Sequence, residues 1–398
     1  MSVFFSQATK SMKTSGIREL AKLTQRPEII SFAGGLPAAE MFPAKKLAEV
    51  SQKVLLEHGR QALQYMSTEG YAPLRVHIAG FMNRALGCDG VEQDDILIIN
   101  GSQQGLDFSA RIFVDPGSVI LMESPTYVGA INAFSSYMPE FAEVSTDRDG
   151  MIMDDIQAKI ALYGDRIRFI YVIPDFQNPS GITWSLERRQ ELLRIAKDNN
   201  LIIIEDNPYG ALSFNGEILP TIYSLDHDEE KNVVFLGTFS KIMCPGYRLG
   251  WVCSSKEILS KYILCKQSSD LHSSTVNQWE LSCLFNEYDI YKHIERLVSL
   301  YKRRRDVMVD ALETYMPSDV KYEIPGGGFF VWLEFPQEVN TGELVDKCLE
   351  KNVAYISGSS FFPNGGKENY ARLCFSYMSD EKIEGGIKML GECLSMWL

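Results

Sequence analysis

The sequence predicts an α/β fold in which a mostly parallel sheet is followed by a smaller α+β region. Unbroken apolar runs, such as DILIIN at 95–100 and LIII at 201–204, are typical of strands covered on both faces. Strand and helix patterns alternate through residues 95–254, as they do in a parallel sheet with right-handed crossovers. After Pro317 the pattern changes to short mixed strands and helices.

Composition and charge argue against several classes of protein. The chain has 398 residues, of which 45% are hydrophobic and 23% are charged, so we expect a soluble globular protein with room for two domains. The net charge of -13 argues against a nucleic-acid partner, and no apolar run approaches the roughly 20 residues of a membrane span. The N-terminus shows no signal-peptide core, and the eight cysteines include no C-x-x-C pair. These features indicate reduced thiols, no metal site of the structural zinc type and a cytoplasmic location.

The order of the predicted elements suggests three parts. The polar N-terminal residues are typical of an arm, and an amphipathic pattern at 44–58 predicts the first long helix. One long helical pattern at 289–315 has the length of a helix that links two domains. We therefore expect an arm or lid over residues 1–45 that belongs to the small domain, a large domain over 46–288 and a small domain over 289–398.

The strand at 95–100 leads into a turn that could hold a phosphate. The turn contains Gly101, Ser102 and Gln103, and a helix is predicted over 106–114. A strand, a glycine beside a hydroxyl and then a helix direct backbone N–H groups toward an anion. The turn is neither a P-loop nor a dinucleotide fingerprint, and Ser102 could equally be an ordinary helix N-cap.

Further polar side chains follow other predicted strands. Tyr127, Asn178 and Asp206 each come after an apolar run, and Tyr209 follows shortly after Asp206. The carboxyl ends of parallel strands meet at one edge, where open α/β sheets bind ligands. Tyr127 could instead be a capping aromatic, and Asn178-Pro179 could be a simple turn. Asp206 could be a helix N-cap or a counter-ion to a buried cation.

A buried strand at 233–236 precedes the strongest chemical signal. Thr238, Ser240 and Lys241 follow it, and Arg248 comes after a Pro-Gly turn. Hydroxyls and an arginine suit a phosphate monoester, and a lysine that is partly desolvated near another cation becomes a nucleophile for aldehydes. An aldehyde together with a phosphate indicates pyridoxal phosphate (PLP). The ordinary alternative is a surface lysine at the end of a strand.

Two positions outside these strand ends are also candidates. Gly34 and Gly35 form a turn before Pro37, where a ligand could approach the backbone closely, although a plain loop would show the same residues. Arg372 alternates with apolar side chains in a predicted strand at 371–375. It is either a gatekeeper on an edge strand or a clamp for an anion.

Together these motifs resemble the class I/II aminotransferases of the PLP-dependent aspartate aminotransferase superfamily. The segments that resemble its 2-aminoadipate and kynurenine aminotransferase II branch are SFAGGLP at 31–37, GSQQGL at 101–106, EDNPY at 205–209 and FSK at 239–241. The resemblance covers about residues 15–395 and implies the PLP-dependent transferase fold, with a mostly parallel seven-stranded sheet in the PLP-binding large domain. It also implies transfer of an amino group between an L-amino acid and a 2-oxo acid.

The resemblance implies a role for each matching residue of the cofactor site. Lys241 resembles the Schiff-base lysine, and Asp206 resembles the partner of the pyridine nitrogen. Asn178 and Tyr209 resemble the partners of the phenolic oxygen, and Tyr127 suits stacking on the ring. The residues that resemble the phosphate-binding set are Ser102, Gln103, Thr238, Ser240 and Arg248.

The resemblance also implies a substrate site and a partner subunit. Arg372 resembles the arginine that binds the α-carboxylate, helped by Asn178 and by the backbone at Gly35. Tyr65 resembles a tyrosine that reaches the phosphate of the neighbouring subunit's cofactor, which implies a homodimer with shared active sites. Arg18 lies in a segment similar to a mobile lid, where it would meet an acidic substrate side chain, although it could equally be an exposed arginine.

The implied donors are 2-aminoadipate, glutamate, and aromatic or aliphatic amino acids, and the implied acceptor is a 2-oxo acid such as 2-oxoglutarate.

A carbon–sulfur β-lyase of the same fold would present a similar site. A transcription regulator fused to this fold is disfavoured, because only about 30 residues precede the fold and a DNA-binding domain needs about 50. A non-catalytic binding protein is disfavoured by the intact Lys241. In one loop the chain differs from the family pattern. It has Asp175, Phe176 and Gln177 before Asn178, where many family members have smaller or amide residues.

Overall fold

The computed structural model describes residues 3–11, 26, 28–228 and 231–397. Arg18, the predicted lid residue, lies outside them. Within the described residues the backbone forms three sheets, with helices packed against them. In this part of the chain, no helix combines the length and apolar character that crossing a membrane requires.

The large sheet lies in the middle of the chain. Strand β1 (Ile30–Ser31) precedes it, and its own strands are β2 (Ile96–Ile99), β3 (Val119–Ser124), β4 (Glu140–Asp147), β5 (Gly150–Met151), β6 (Ile167–Val172), β7 (Ile202–Asn207), β8 (Val233–Thr238) and β9 (Gly250–Cys253). The order across the sheet is β2-β9-β8-β7-β6-β3-β4-β5. The five strands from β8 to β4 pair in parallel, and the pairs β2–β9, β8–β9 and β4–β5 are antiparallel.

The number of strands differs from the prediction. Eight strands of the described chain join this sheet, where the sequence predicted seven. The additional strand is β5, which turns back along β4 and pairs Gly150 with Asp147 and Met151 with Thr146. A strand of two residues is too short to show any apolar period, so the sequence pattern does not reveal it.

Both faces of the large sheet are covered, as the unbroken apolar runs predict. Ile96 and Ile98 of β2 belong to one apolar core, whereas Leu97 and Ile99 belong to the other. We refer to these two sides as the Ile98 face and the Leu97 face.

The helices of the described chain are α1 (Gln7–Ser11), α2 (Ala44–Ala62), α3 (Ala72–Ala85), α4 (Ser102–Phe113), α5 (Val128–Ser135), α6 (Met153–Tyr163), α7 (Leu186–Asp198), α8 (Ile222–Leu225), α9 (Lys256–Ser269), α10 (Thr275–Glu287), α11 (Ile290–Tyr315), α12 (Thr341–Glu350) and α13 (Asp380–Trp397).

The predicted α+β region follows the long helix α11. Its strands are β10 (Lys321–Tyr322), β11 (Phe330–Glu334), β12 (Val353–Ala354), β13 (Ile356–Ser357) and β14 (Tyr370–Cys374). Four of them form a sheet in the order β10-β11-β14-β13, and β12 pairs in parallel with β1. Strand β14 therefore has a neighbour on each side. The edge-strand interpretation of Arg372 is wrong for this reason.

Two predicted boundaries also move. Helix α4 begins at Ser102 and not at 106, because Gly101 turns the chain sharply with a φ of 73° and the helix starts directly after it. Strand β7 continues past 204, since Asp206 and Asn207 still pair with β8. Ser102 therefore lies in the first turn of a helix, and Asp206 lies inside a buried strand.

Candidate active site

Lys241 lies three residues beyond the end of β8. Its Nζ donates a hydrogen bond to the carbonyl oxygen of Gly35 at 2.8 Å. Burial lowers the pKa of the Lys241 amine to about 8, and the nearby guanidinium groups of Arg372 and Arg248 act in the same direction. The surface-lysine alternative is therefore wrong, and an amine with this pKa is a nucleophile near neutral pH.

Arg372 is buried in β14 and contacts the same short segment of backbone. Its Nη2 donates to the carbonyl of Ala33 at 2.7 Å, and its Nη1 donates to Oδ1 of Asn178 at 2.8 Å. The guanidinium carbon lies 4.2 Å from the ring centre of Phe330 and 5.1 Å from that of Phe361. Its Nε has no hydrogen-bond partner among the described residues. A buried guanidinium with an open donor suits an anionic ligand.

Asp206 is buried near the end of β7. Its Oδ2 accepts a hydrogen bond from the hydroxyl of Tyr171 at 3.0 Å, and its Oδ1 has no partner among the described residues. Burial raises the pKa of the Asp206 carboxyl to about 7, while the hydroxyl of Tyr171 and the charge of Lys241 oppose this. A buried carboxylate with one open oxygen suits a protonated nitrogen of a ligand.

The helix-capping role that Asp206 could have had belongs to its neighbour. The backbone N–H groups of Ile222 and Tyr223, in the first turn of α8, donate to the two carboxylate oxygens of Glu205 at 2.9 and 2.8 Å. Successive side chains of a strand point to opposite faces, so Glu205 caps a helix on the Ile98 face while Asp206 lies with Tyr171 on the Leu97 face.

The predicted phosphate-binding residues meet where β8 ends and α4 begins. Thr238 Oγ1 donates to Ser240 Oγ at 2.9 Å, and Arg248 Nη1 donates to the same oxygen at 3.3 Å. Arg248 Nη2 reaches the carbonyl of Asn100 at 3.2 Å and lies 2.5 Å from where a side chain at Gly101 would begin. The structure therefore brings an arginine and two hydroxyls to the N-terminus of α4, which Ser102 opens, and this arrangement suits a phosphate.

Gln103 and Tyr127 close one side of this region. The Tyr127 hydroxyl points to Gln103 Oε1 at 3.5 Å, and Gln103 Nε2 donates to the carbonyl of Gly129 at 2.8 Å. Burial raises the pKa of Tyr127, and the charge of Asp206 adds to this, so its hydroxyl remains protonated. Tyr127 directly precedes α5 but makes no side-chain cap to it.

Tyr209 joins the Arg372 side of the site through aromatic contacts. Its ring centre lies 5.4 Å from that of Phe329 and 5.9 Å from that of Phe330, the ring that Arg372 covers. Burial raises the pKa of Tyr209 well above its usual range, so the hydroxyl is a donor at any working pH.

Tyr65 is not brought to the other residues within one chain. Its side chain is 77% exposed, and its described ring contact is edge-on to His272, with centres 5.6 Å apart.

The sequence analysis assigned no role to several residues in the site or next to it. Tyr171 lies within an apolar run, and Ala33 contributes only a carbonyl, which no side-chain pattern reveals. Asp175 accepts hydrogen bonds from Arg189 at 2.6 Å and from Asn207 at 2.7 Å. Asp175 therefore ties the loop that carries Asn178 to the end of β7. A charged residue at the end of an apolar strand was the signal that could have found it.

The residues present fit each chemical feature of PLP. The amine of Lys241 suits the aldehyde, and Oδ1 of Asp206, for which the described residues offer no partner, suits a protonated ring nitrogen. The N-terminus of α4 with Arg248 and Ser240 suits the phosphate.

Comparison with known proteins agrees with this chemistry. The family model described as aminotransferase class I and II matches residues 27–390. The chain is 41% identical over 394 residues to aromatic-amino-acid aminotransferase 1 of Thermococcus litoralis, covering 98% of this chain and 94% of that protein. It is 40% identical over 391 residues to 2-aminoadipate transaminase of Thermus thermophilus, covering 98% and 96%. The crystal structure of Pyrococcus horikoshii kynurenine aminotransferase superposes with a TM-score of 0.93 at 36% identity, covering 99% of this chain and 98% of that chain.

The match to the family model spans most of the chain, and the sequence identity to each of the two relatives is high enough over nearly the full length to establish membership of the family. The chain therefore belongs to the aminotransferase class I and II family and is a PLP-dependent aminotransferase.

Proposed function

We propose that the enzyme transfers the amino group of an L-amino acid with an aromatic, aliphatic or acidic side chain to a 2-oxo acid such as 2-oxoglutarate. The observation that carries the proposal is the convergence of Lys241 and Arg372 on the carbonyls of Gly35 and Ala33, at 2.8 and 2.7 Å. A nucleophilic amine and a carboxylate-binding guanidinium held by one tripeptide suit a substrate with an amino group and a carboxylate on the same carbon.

Arg372 is assigned to the α-carboxylate in this proposal. Its Nε has no partner in the described part of the chain and is an open donor, and its Nη1 contact with Asn178 fixes the plane of the guanidinium. A planar guanidinium binds a carboxylate in two parallel hydrogen bonds. The backbone at Gly35 and the amide of Asn178 border the same space.

PLP supplies an aldehyde and an electron-withdrawing ring to the reaction. Asp206 would hold the ring nitrogen, Asn178 and Tyr209 would contact the phenolic oxygen, and Tyr127 would stack on the ring. The residues assigned to the phosphate are Ser102, Gln103, Thr238, Ser240 and Arg248. The contacts of Thr238 and Arg248 with Ser240, and of Arg248 with Asn100 just before α4, support this set.

Lys241 is assigned to proton transfer as well as to bonding. A pKa of about 8 leaves part of the Lys241 population as free amine at neutral pH, so Nζ can accept the α-proton of the substrate. The hydrogen bond to Gly35 holds Nζ on the Arg372 side of the site, where the α-carbon of a substrate bound by Arg372 would lie.

The neighbours of the two cations favour aromatic or aliphatic donors. Among the described residues, the side chains that contact Arg372 and Lys241 are neutral: Asn178, Phe329, Phe330 and Phe361. An acidic donor therefore needs a further cation, and we assign that role to Arg18. The relatives named for aromatic amino acids and for 2-aminoadipate support both kinds of donor.

The assignment of Arg18 is tested by Arg18→Ala with one acidic and one apolar donor. We expect kcat/KM for the acidic donor to fall on the order of tenfold or more, about 1.4 kcal/mol, and that for the apolar donor to stay the same. Equal effects on both donors, or no effect on either, would leave Arg18 as a surface charge.

We also propose a cytoplasmic homodimer in which Tyr65 completes the site of the neighbouring subunit. Leu56, Leu63 and Tyr65 are 78%, 69% and 77% exposed, and three large exposed side chains within ten residues of the sequence support an interface there. The test mixes Lys241→Ala and Tyr65→Ala subunits, each of which forms an impaired homodimer. Shared sites predict that mixed dimers regain activity, because one site then has both native residues. No regain would contradict sharing.

The transferase activity itself is tested by half-reactions. The holoenzyme is mixed with each amino acid alone, and its yellow absorbance is followed. We expect one bleaching event per active site, which 2-oxoglutarate then reverses. Continuous release of pyruvate and ammonia without any 2-oxo acid would contradict the proposal and identify a carbon–sulfur β-lyase.

A further inference from the structure

We propose that Tyr171 is a positioning residue that keeps the Asp206 carboxylate a weak base, so that the proton shared with the cofactor stays on the ring nitrogen. The inference rests on the proposed pairing of Asp206 with that nitrogen. It concerns a residue that lies in the middle of an apolar strand and that contributes a single polar atom.

The geometry follows from the register of two neighbouring strands. Tyr171 of β6 pairs with Ile204 of β7, and Asp206 lies two residues further along β7 on the same face. The long side chain of Tyr171 spans this diagonal and places its hydroxyl 3.0 Å from Asp206 Oδ2. The Tyr171 ring is fully buried and packs edge-on against Phe134, with ring centres 5.5 Å apart. The hydroxyl is therefore held in one place.

This contact makes the two carboxylate oxygens different. Oδ2 is occupied by Tyr171, whereas Oδ1 has no partner among the described residues. A buried carboxylate oxygen without a partner is costly and marks the position where a ligand donor is needed. The orientation that Tyr171 imposes thus leaves Oδ1 for the ring nitrogen.

The hydrogen bond also sets the basicity of Asp206. Burial raises the pKa of Asp206 to about 7, and donation from Tyr171 and the charge of Lys241 are the effects that lower it. The other titratable groups near Asp206 are the hydroxyls of Tyr127 and Tyr209, which are neutral because their pKa values are raised. Burial and Asp206 also raise the pKa of Tyr171 well above its usual range, so Tyr171 remains a donor. Without this donor Asp206 would compete more strongly for the shared proton.

The experiment uses Tyr171→Phe, which keeps the ring and removes the hydroxyl. Holoenzyme is prepared with PLP labelled with ¹⁵N in the ring, and the ¹⁵N chemical shift is followed against pH. We expect the ¹⁵N chemical shift near neutral pH to move toward the value of an unprotonated ring nitrogen, because Asp206 then takes a larger share of the proton. The loss of one charge-assisted hydrogen bond corresponds to about a tenfold change in that ratio. We expect kcat to fall roughly three- to tenfold with KM within about twofold, because ring protonation acts on the chemical step.

Tyr262→Phe is the matched control. Tyr262 is fully buried in the core of the same face, and its hydroxyl bonds to Ser109 at 2.7 Å, away from Asp206. Both variants lose a buried hydroxyl, but only Tyr171→Phe loses a contact with Asp206. The control should therefore leave the ¹⁵N titration unchanged. An unchanged titration in Tyr171→Phe, or the same shift in both variants, would overturn the proposal.

Asp206→Asn separates this proposal from the one on which it rests. If the unsubstituted enzyme has a protonated ring nitrogen and Asp206→Asn loses it, the pairing of Asp206 is correct, and only the Tyr171 result decides the inference. If the ring nitrogen of the unsubstituted enzyme is unprotonated, the pairing itself is wrong and the role of Tyr171 is overturned with it.

Discussion

Two lysines with shielded side chains lie near the start of α4, and their surroundings differ. Lys266 donates to Gln104 at 2.8 Å, to Asp270 at 2.8 Å and to Ser273 at 3.0 Å, so each of its three N–H groups has an acceptor. Lys241 has one acceptor among the described residues, the carbonyl of Gly35. Burial lowers the pKa of both amines, but at Lys266 the carboxylate of Asp270 opposes this.

The same contrast separates two buried carboxylates. Both oxygens of Asp175 are used, by Arg189 and Asn207, whereas Oδ1 of Asp206 is unpaired among the described residues. Polar groups with every hydrogen-bonding position filled hold the structure together. Asp206 and Lys241 each keep a hydrogen-bonding position open among the described residues, and both lie in the site. We expect substitutions in the first set to change stability and substitutions in the second set to change chemistry.

The largest expected effect is that of Lys241→Ala. Because it removes both the bonding amine and the proposed base, turnover should fall on the order of a thousandfold or more. Stability should change little, since the lost amine had one carbonyl partner. The test treats the parent holoenzyme and the Lys241→Ala variant with borohydride, which reduces the bond between PLP and a lysine. Mass spectrometry then identifies the lysine that carries the adduct. A reducible adduct on another lysine would show that an open hydrogen-bonding position does not identify the nucleophile.

Arg372→Leu should have the next largest effect. A two-pronged contact between a guanidinium and a carboxylate contributes about 1.5–3 kcal/mol, so kcat/KM should fall roughly 10- to 150-fold. Amino acids and 2-oxo acids should be affected alike, since all carry the α-carboxylate. Loss confined to dicarboxylic substrates would assign Arg372 to the substrate side chain.

The pH dependence of PLP bonding tests the state of Lys241. A pKa of about 8 means that the free amine decreases as pH falls below that value. The rate at which apoenzyme forms its reducible adduct should therefore fall about tenfold per pH unit below 8 and level off above it. A rate that keeps rising to pH 10 would show that the pKa of the Lys241 amine is not lowered.

Lys266→Met should have the smallest effect on activity. It leaves Asp270 and Gln104 without their donor, so the free energy of unfolding should fall by about 1–3 kcal/mol. The loss is at the lower end if Asp270, which is partly exposed, regains water. We expect kcat within about threefold of the parent, and the double variant with Asp270→Asn should recover part of the stability. Lost turnover at unchanged stability would contradict the contrast between the two lysines.

The sequence was sufficient for residues whose function depends on their place at a strand end. Lys241 and Asn178 follow apolar runs, and parallel strands bring such ends together whatever their order. The contact between Tyr171 and Asp206 depends on β6 lying beside β7 and on their register, which a single sequence does not contain. The two glycines marked the backbone at Gly35 as a candidate contact, but the carbonyl of Ala33 could not be predicted, because a backbone atom is not encoded by the residue type.

The adjacent carboxylates of β7 have a consequence for how this protein tolerates change. Glu205 caps α8 on one face and Asp206 lies on the other, so a step of one residue along the strand separates a structural role from the cofactor-binding role that we propose for Asp206. Inserting or deleting one residue between Ile202 and Glu205 would exchange their faces, and α8 and the cofactor would lose their partners together. We therefore expect related sequences to vary in this segment by substitution and not by insertion or deletion.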